Sequence, residues 1–155
     1  MSEQFETISE LYEKKRDIST EIAGLADWNK CWLDNQTNFE EDFGILTITM
    51  PFLDADNDYI QIYVTKSENG YLLTDNGYVI QELMRFGFSP NDQRVQKLLD
   101  ATSKRFEIEY VNRAFCVTTQ VADFPMYLKN LTQAIIILHS LSYLIDPLSY
   151  QKLKR

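Results

Sequence analysis

Three aspartates fall within five residues at Asp54-Ala55-Asp56-Asn57-Asp58, and a fourth, Asp75, follows Thr74 at the end of an apolar run. Carboxylates so placed can share a divalent ion, and a metal-dependent nuclease or phosphatase would use Asp54, Asp56, Asp58 and Asp75 in that way. The one-three-five spacing also matches the opening of a calcium loop. Two parts of that loop are missing, since its sixth position is Tyr59 instead of glycine and its twelfth Thr65 instead of glutamate. Lys66 is the nearest base, with Val64 where an acid-x-Lys pattern needs its acid. The plainer reading makes 54–58 an acidic strand-to-strand turn and Asp75 a helix cap. No metal and no cofactor is therefore expected, and the aspartate cluster stands as the alternative.

Other catalytic constellations are thin. His139 is the sole histidine, so multi-histidine zinc sites have no ligands, and on an apolar helix it reads as a hydrogen-bonded core residue. Cys31 and Cys116 lie 85 residues apart without a CxxC, as free thiols would. GxSxG, P-loop, GxGxxG and HExxH strings are absent.

Tyr59 and Tyr63 alternate with Ile60, Ile62 and Val64, which places the tyrosines, with Tyr71 as a third candidate, on the sheet face away from the core. Aromatic anchors rimmed by charge have the composition of an interface. The charge is close by. The chain of 155 residues has a net charge of -8, but residues 1–58 hold 14 acids and four bases while 59–155 hold nine acids and 11 bases. That balance argues against coating a phosphate backbone and for a basic protein partner. The expected docking residues are Asp34, Glu40, Glu41, Asp42, Asp54, Asp56, Asp58, Tyr59, Tyr63 and Tyr71.

The positioning elements follow from periodicity. Ile8, Leu11, Ile18, Ile22 and Leu25 form a helical stripe interrupted by Lys15, capped by Ser2 or by Thr7 with Glu10 and weakened at Gly24. The stripe suits packing on its own domain or a homodimer. Residues 27–43 read as irregular and polar, anchored by Trp28, Trp32, Phe39 and Phe43. Strands are expected at 45–50, ending at Pro51, at 59–66 and at 71–74, with Asn69-Gly70 turning the hairpin. Helices follow at 78–86 and after Ser89-Pro90-Asn91-Asp92, then a second hairpin from 106–110 and 115–119 around Asn112. A long buried helix runs from Asp123, with Pro125 in its first turn, to about Ile145 before Pro147. The fold class is α+β: an N-terminal helix, a largely antiparallel sheet of about five strands built from two hairpins, and a buried C-terminal helix. One domain spans 1–155, with 1–43 a helical acidic extension and 44–146 the α+β core.

Phe52-Leu53-Asp54, Asn57-Asp58-Tyr59-Ile60-Gln61-Ile62-Tyr63-Val64 and Gly70-Tyr71-Leu72-Leu73-Thr74-Asp75-Asn76-Gly77 resemble a bacterial and phage family known as domain of unknown function 1828. The Leu-Thr-Asp-x-Gly string carries most of the likeness, which covers about 44–142. The resemblance implies one domain and a bacterial or phage source, and brings no activity with it.

The start of the chain has no basic, apolar secretion signal and no segment is apolar enough to span a bilayer, so a cytoplasmic location is expected. The leading expectation is a non-enzymatic acidic binding module, a phage-encoded counter-defence inhibitor of a nucleic-acid-handling enzyme such as a CRISPR nuclease. Its alternatives are the metal-dependent enzyme and an oligomeric scaffold built on the N-terminal helix.

Overall fold

Alternation of Ile60, Ile62 and Val64 with polar and tyrosine positions dictates a strand with one apolar face, and all three side chains are buried. The computed structural model describes residues 7–144, without the side chains of Tyr12, Lys15, Arg16, Tyr143 and Leu144. The expected cap at Ser2 and Pro147 lie outside the described residues, and the last α-helix ends at His139 instead of near Ile145, because the chain tightens there into a 3-10 turn over Ser140–Leu144. The chain divides into two compact units, 1–36 and 37–155.

The first unit is one helix, α1 (Ile8–Gln36). Its start is a reciprocal capping box: the Glu10 carboxylate accepts from Thr7 N–H at 2.7 Å and the Thr7 hydroxyl from Glu10 N–H at 3.3 Å. Those bonds hold the Glu10 carboxyl below its ordinary range. The helix passes Gly24, where a glycine costs about 1 kcal/mol, and absorbs the expected irregular stretch as far as Gln36.

The second unit contains β1 (Asn38–Asp42), β2 (Ile45–Leu53), β3 (Tyr59–Ser67), β4 (Gly70–Thr74), α2 (Tyr78–Arg85), α3 (Gln93–Phe106), β5 (Glu109–Val111), β6 (Ala114–Thr119) and α4 (Phe124–His139). Short 3-10 turns precede and follow α4. The six strands form one sheet in the order β1-β2-β3-β4-β6-β5, every neighbouring pair antiparallel. The class is α+β, with one strand more than about five. The extra strand is β1, whose Asn-Phe-Glu-Glu-Asp sequence has Phe39 as its one strand former among four residues that strands disfavour.

Register places Ile48, Ile62, Val64, Leu73 and Val117 on one face, where they join Val79, Leu83, Leu99, Leu131, Ile135 and Leu138 from the helices in a single core. The opposite face carries Thr47, Thr49, Gln61, Tyr63, Thr65 and Thr74. Only one side of α4 is buried, since Ile137 remains exposed.

Three local expectations shift. β2 runs through Pro51 instead of stopping there, with its pairing to β3 stepping between Thr49 and Leu53, the irregularity that tolerates a proline. α3 continues to Phe106, so the second hairpin begins at Glu109 and turns on Asn112 and Arg113, both at positive φ. The β3–β4 turn centres on Glu68 and Asn69, and Gly70 is the first residue of β4. Gly70 has φ +135, and a Cβ there would collide with the Thr119 carbonyl oxygen. Gly70→Ala is expected to lower unfolding free energy by at least about 1–3 kcal/mol, the usual strain at such a backbone position. Urea denaturation measures it, and a loss below half a kcal/mol would contradict the contact.

Candidate functional site

Two corners, each built on one aspartate, position the polar residues. At the end of β2, Asp54 donates its N–H to the Asp58 carbonyl at 2.8 Å and accepts the Asn57 N–H on its own carbonyl at 3.2 Å. Asp54 Oδ1 accepts the N–H groups of Asp56 and Asp58 at 2.8 and 3.0 Å, and Oδ2 accepts the Tyr78 hydroxyl at 3.0 Å. This buried carboxylate therefore shapes the turn and ties it to the first residue of α2.

The second corner is the Leu-Thr-Asp-x-Gly string. Asp75 is 1% exposed and accepts three backbone N–H groups, Gly77 and Phe115 on Oδ1 at 3.0 and 2.9 Å and Val79 on Oδ2 at 3.0 Å. Its own N–H returns to the Phe115 carbonyl at 3.1 Å, while Thr74 Oγ1 accepts from Asn76 N–H at 3.0 Å. Gly77 sits at φ +81, where a Cβ would press on the Arg113 carbonyl at 3.2 Å. One carboxylate thus opens the β4-to-α2 turn, caps α2 and clamps β6. Burial pushes its carboxyl above the ordinary range against the pull of those donors.

These roles decide what the aspartate cluster can do. Asp54 and Asp75 spend their oxygens on the fold, and Asp56 pairs with Arg85 of α2, which also meets Glu82. Among the described residues no group of three His, Cys, Asp or Glu is arranged to hold a metal ion.

Between the corners lies a cleft of about 420 Å³ lined by Thr49, Asp58, Tyr59, Gln61, Tyr63 and Tyr78. Its floor is fixed across strands: the Tyr63 hydroxyl donates to Gln61 Oε1 at 3.1 Å and Gln61 Nε2 donates to Thr49 Oγ1 at 3.2 Å. Burial raises the Tyr78 phenol well above its ordinary value, and the Asp54 hydrogen bond adds to it. Glu82 is raised by burial and by the Asp54 and Asp58 charges. A carboxylate beside three tyrosine rings suits a cationic side chain, held by charge and by the ring faces.

His139 packs behind this wall, its ring 5.9 Å from that of Tyr78. The expectation of a hydrogen-bonded core histidine is half met: it is buried, yet Nε2 has no partner. Burial depresses its pKa below the ordinary 6.5, with Asp54 pulling the other way. The neutral form is favoured in the fold, so its contribution to stability is present above pH 6.5 and lost as pH falls through the folded value. His139→Phe is expected to remove that loss, so that the stability difference between the variant and the natural chain grows as pH falls below 6.5. A difference independent of pH in urea titrations would refute this.

The remaining candidates scatter. Asp34 is exposed on α1. Glu40 and Asp42 point to the same face as Thr47 and Tyr63, whereas Glu41 lies on the other face and accepts the Gly44 N–H at 3.0 Å. Tyr71 is opposite Lys66 and packs on the core, because its register puts it on the face of Val64 and Leu73. It is not on the tyrosine face with Tyr59 and Tyr63.

One residue escaped notice as a site. The two-residue β1–β2 turn is Phe43-Gly44, with φ 48 and 80. Such turns favour Asn-Gly, because a bulky residue is strained at positive φ. Phe43 is nevertheless there and is 97% exposed. Its signal in the sequence is a phenylalanine before glycine at the end of an acidic run.

The profile of the family described as domain of unknown function DUF1828 matches residues 50–137, more than half of the chain. The chain belongs to the DUF1828 family. The match spans both aspartate corners and the cleft lining except Thr49, and it leaves Phe43 and α1 outside. Comparison with curated proteins and with solved structures gives no match. Among the described residues no helix is long and apolar enough to cross a membrane.

Proposed function

We propose that this DUF1828 protein is a non-enzymatic binding module for a basic protein, with Phe43 as the anchor of its docking surface. The observation that carries the reading is the fully exposed aromatic ring on a strained hairpin tip, since strain and exposed apolar area persist where they serve contact. Glu40, Glu41 and Asp42 precede the ring, and residues 37–58 hold six acids and no base. From the tip, the open sheet face leads through Glu40, Thr47 and Tyr63 to the cleft at Asp58 and Tyr59. That strip follows β2, nine residues long, or about 30 Å at ~3.3 Å per residue.

A partner presenting an apolar pocket at one end and an Arg or Lys at the other fits this strip. Nucleic-acid-handling enzymes have positive grooves of that kind, and a phage-encoded counter-defence inhibitor, for example of a CRISPR nuclease, is the corresponding role. The test immobilises the full chain and its Phe43→Asn and Asp58→Asn variants and captures proteins from a bacterial host lysate. The natural chain is expected to retain a basic protein that both variants lose and that moderate salt releases. Retention that is unaffected by the variants, or insensitive to salt, overturns the reading, as does a natural chain that retains nothing.

A further inference from the structure

We propose that α1 is one strand of a coiled coil whose other strand is a second copy of this chain. This goes beyond the docking surface just described and shares no residue with it. Setting Ile8 as position a of a heptad puts Ile8, Lys15, Ile22 and Asn29 at a and Leu11, Ile18, Leu25 and Trp32 at d. Six of these eight positions are apolar, over four heptads that reach to within one turn of the end of the helix. Trp28 and Leu33 fall at the flanking g and e positions and widen the same face.

Every apolar member of this seam is exposed, from Leu11 at 43% to Ile8 at 73%, and so are Trp28 and Leu33. A helix in water takes most of its stability from covering its apolar stripe. α1 has a capping box at its start, but it also contains Gly24, with nothing within 4 Å of where a Cβ would be. A spacing of 3.5 residues, held without drift, fits a partner of the same period, as another α1 is.

Charge favours a like partner as well. Residues 7–36 hold six acids and four bases, and only Lys15 among the ten charges occupies the seam. Two such helices approach with little repulsion, in contrast to residues 37–58. Lys15 and Asn29 are polar a positions of the sort that fix register and copy number at some cost in affinity. Dimerisation gives each assembly two Phe43 tips, so binding to a partner with paired sites gains from effective concentration.

Sedimentation equilibrium of the full chain reads the answer. The natural chain is expected at twice 18.2 kDa. Ile18→Glu combined with Ile22→Glu is expected to weaken association roughly 100-fold or more and return the mass to the monomer. Helical ellipticity falls with it, while the thermal transition of the sheet unit is retained. Asp27→Ala, off the seam at f, is expected to leave the dimer intact. A monomeric natural chain, a dimer that survives both glutamates, or dissociation by Asp27→Ala overturns the proposal.

Discussion

Asp75→Ala is expected to lower the unfolding free energy by about 3 kcal/mol or more, because it strands the buried N–H groups of Val79 and Phe115 and the half-buried one of Gly77 at about 1–3 kcal/mol each. Relief of the carboxylate's burial offsets part of this, so the lower end of the sum is the appropriate figure. For a chain of this size the midpoint should fall by about 6–12 °C, at ~2–4 °C per kcal/mol. Asp75→Asn keeps an oxygen for Gly77 and Phe115 and turns an amide NH₂ toward the Val79 N–H, so its loss should be intermediate. Urea denaturation of the three proteins gives the order. Alanine and asparagine variants within about 1 kcal/mol of the natural chain would contradict the clamp.

pH acts on the same group. The raised carboxyl of Asp75, and likewise that of Glu82, contributes stability that is fully present below the ordinary values of 3.8 and 4.5 and is lost as pH rises through the folded values. His139 works in the opposite direction over the acid side of 6.5. The natural chain's profile therefore sums opposed slopes on the acid side of pH 6.5, and Asp75→Ala and His139→Phe each remove one of them.

Phe43→Asn should separate stability from binding in opposite directions. Asparagine accepts the left-handed backbone that costs a bulky L-residue about 1–2 kcal/mol, so the variant should unfold about 2–4 °C higher for each kcal/mol recovered. Loss of an anchoring ring costs about 2 kcal/mol or more in a protein interface, which is roughly 30-fold in affinity. Calorimetry on the protein alone and titration against the captured partner measure the two. A variant that is less stable, or that binds unchanged, defeats the assignment of Phe43 as a strained anchor.

Legibility in the sequence followed the strength of the local signal. The inward set Ile60, Ile62 and Val64 and the Thr7–Glu10 box were readable because period and capping chemistry are local. Asp75 as a cap was readable for the same reason, but its bond to Phe115, 40 residues away, was not. β1 was missed because edge strands tolerate acids that discourage pairing, so its composition resembles a loop. Tyr71 went to the wrong face because an alternation carried across a turn keeps its parity only if the register there is known. The cleft depends on Tyr78, a helix residue whose hydroxyl reaches back 24 positions to Asp54, and no spacing rule reports such a contact. Phe43 was visible as an aromatic residue, whereas its positive φ becomes apparent only once Asp42 is paired with Ile45.

The strand order also sets a sequence of events in time. β1 to β4 pair with their chain neighbours across short turns, whereas β4 takes β6 as its other neighbour, which closes a loop of about forty residues around α2 and α3. Loop-closure entropy makes such a pairing slower than a hairpin. The four-strand meander is thus expected to assemble early, and the docking of β6 onto β4 to be the step that limits the folding rate. Asp75 holds α2 through Val79 and β6 through Phe115, so its carboxylate joins what forms locally to what arrives last.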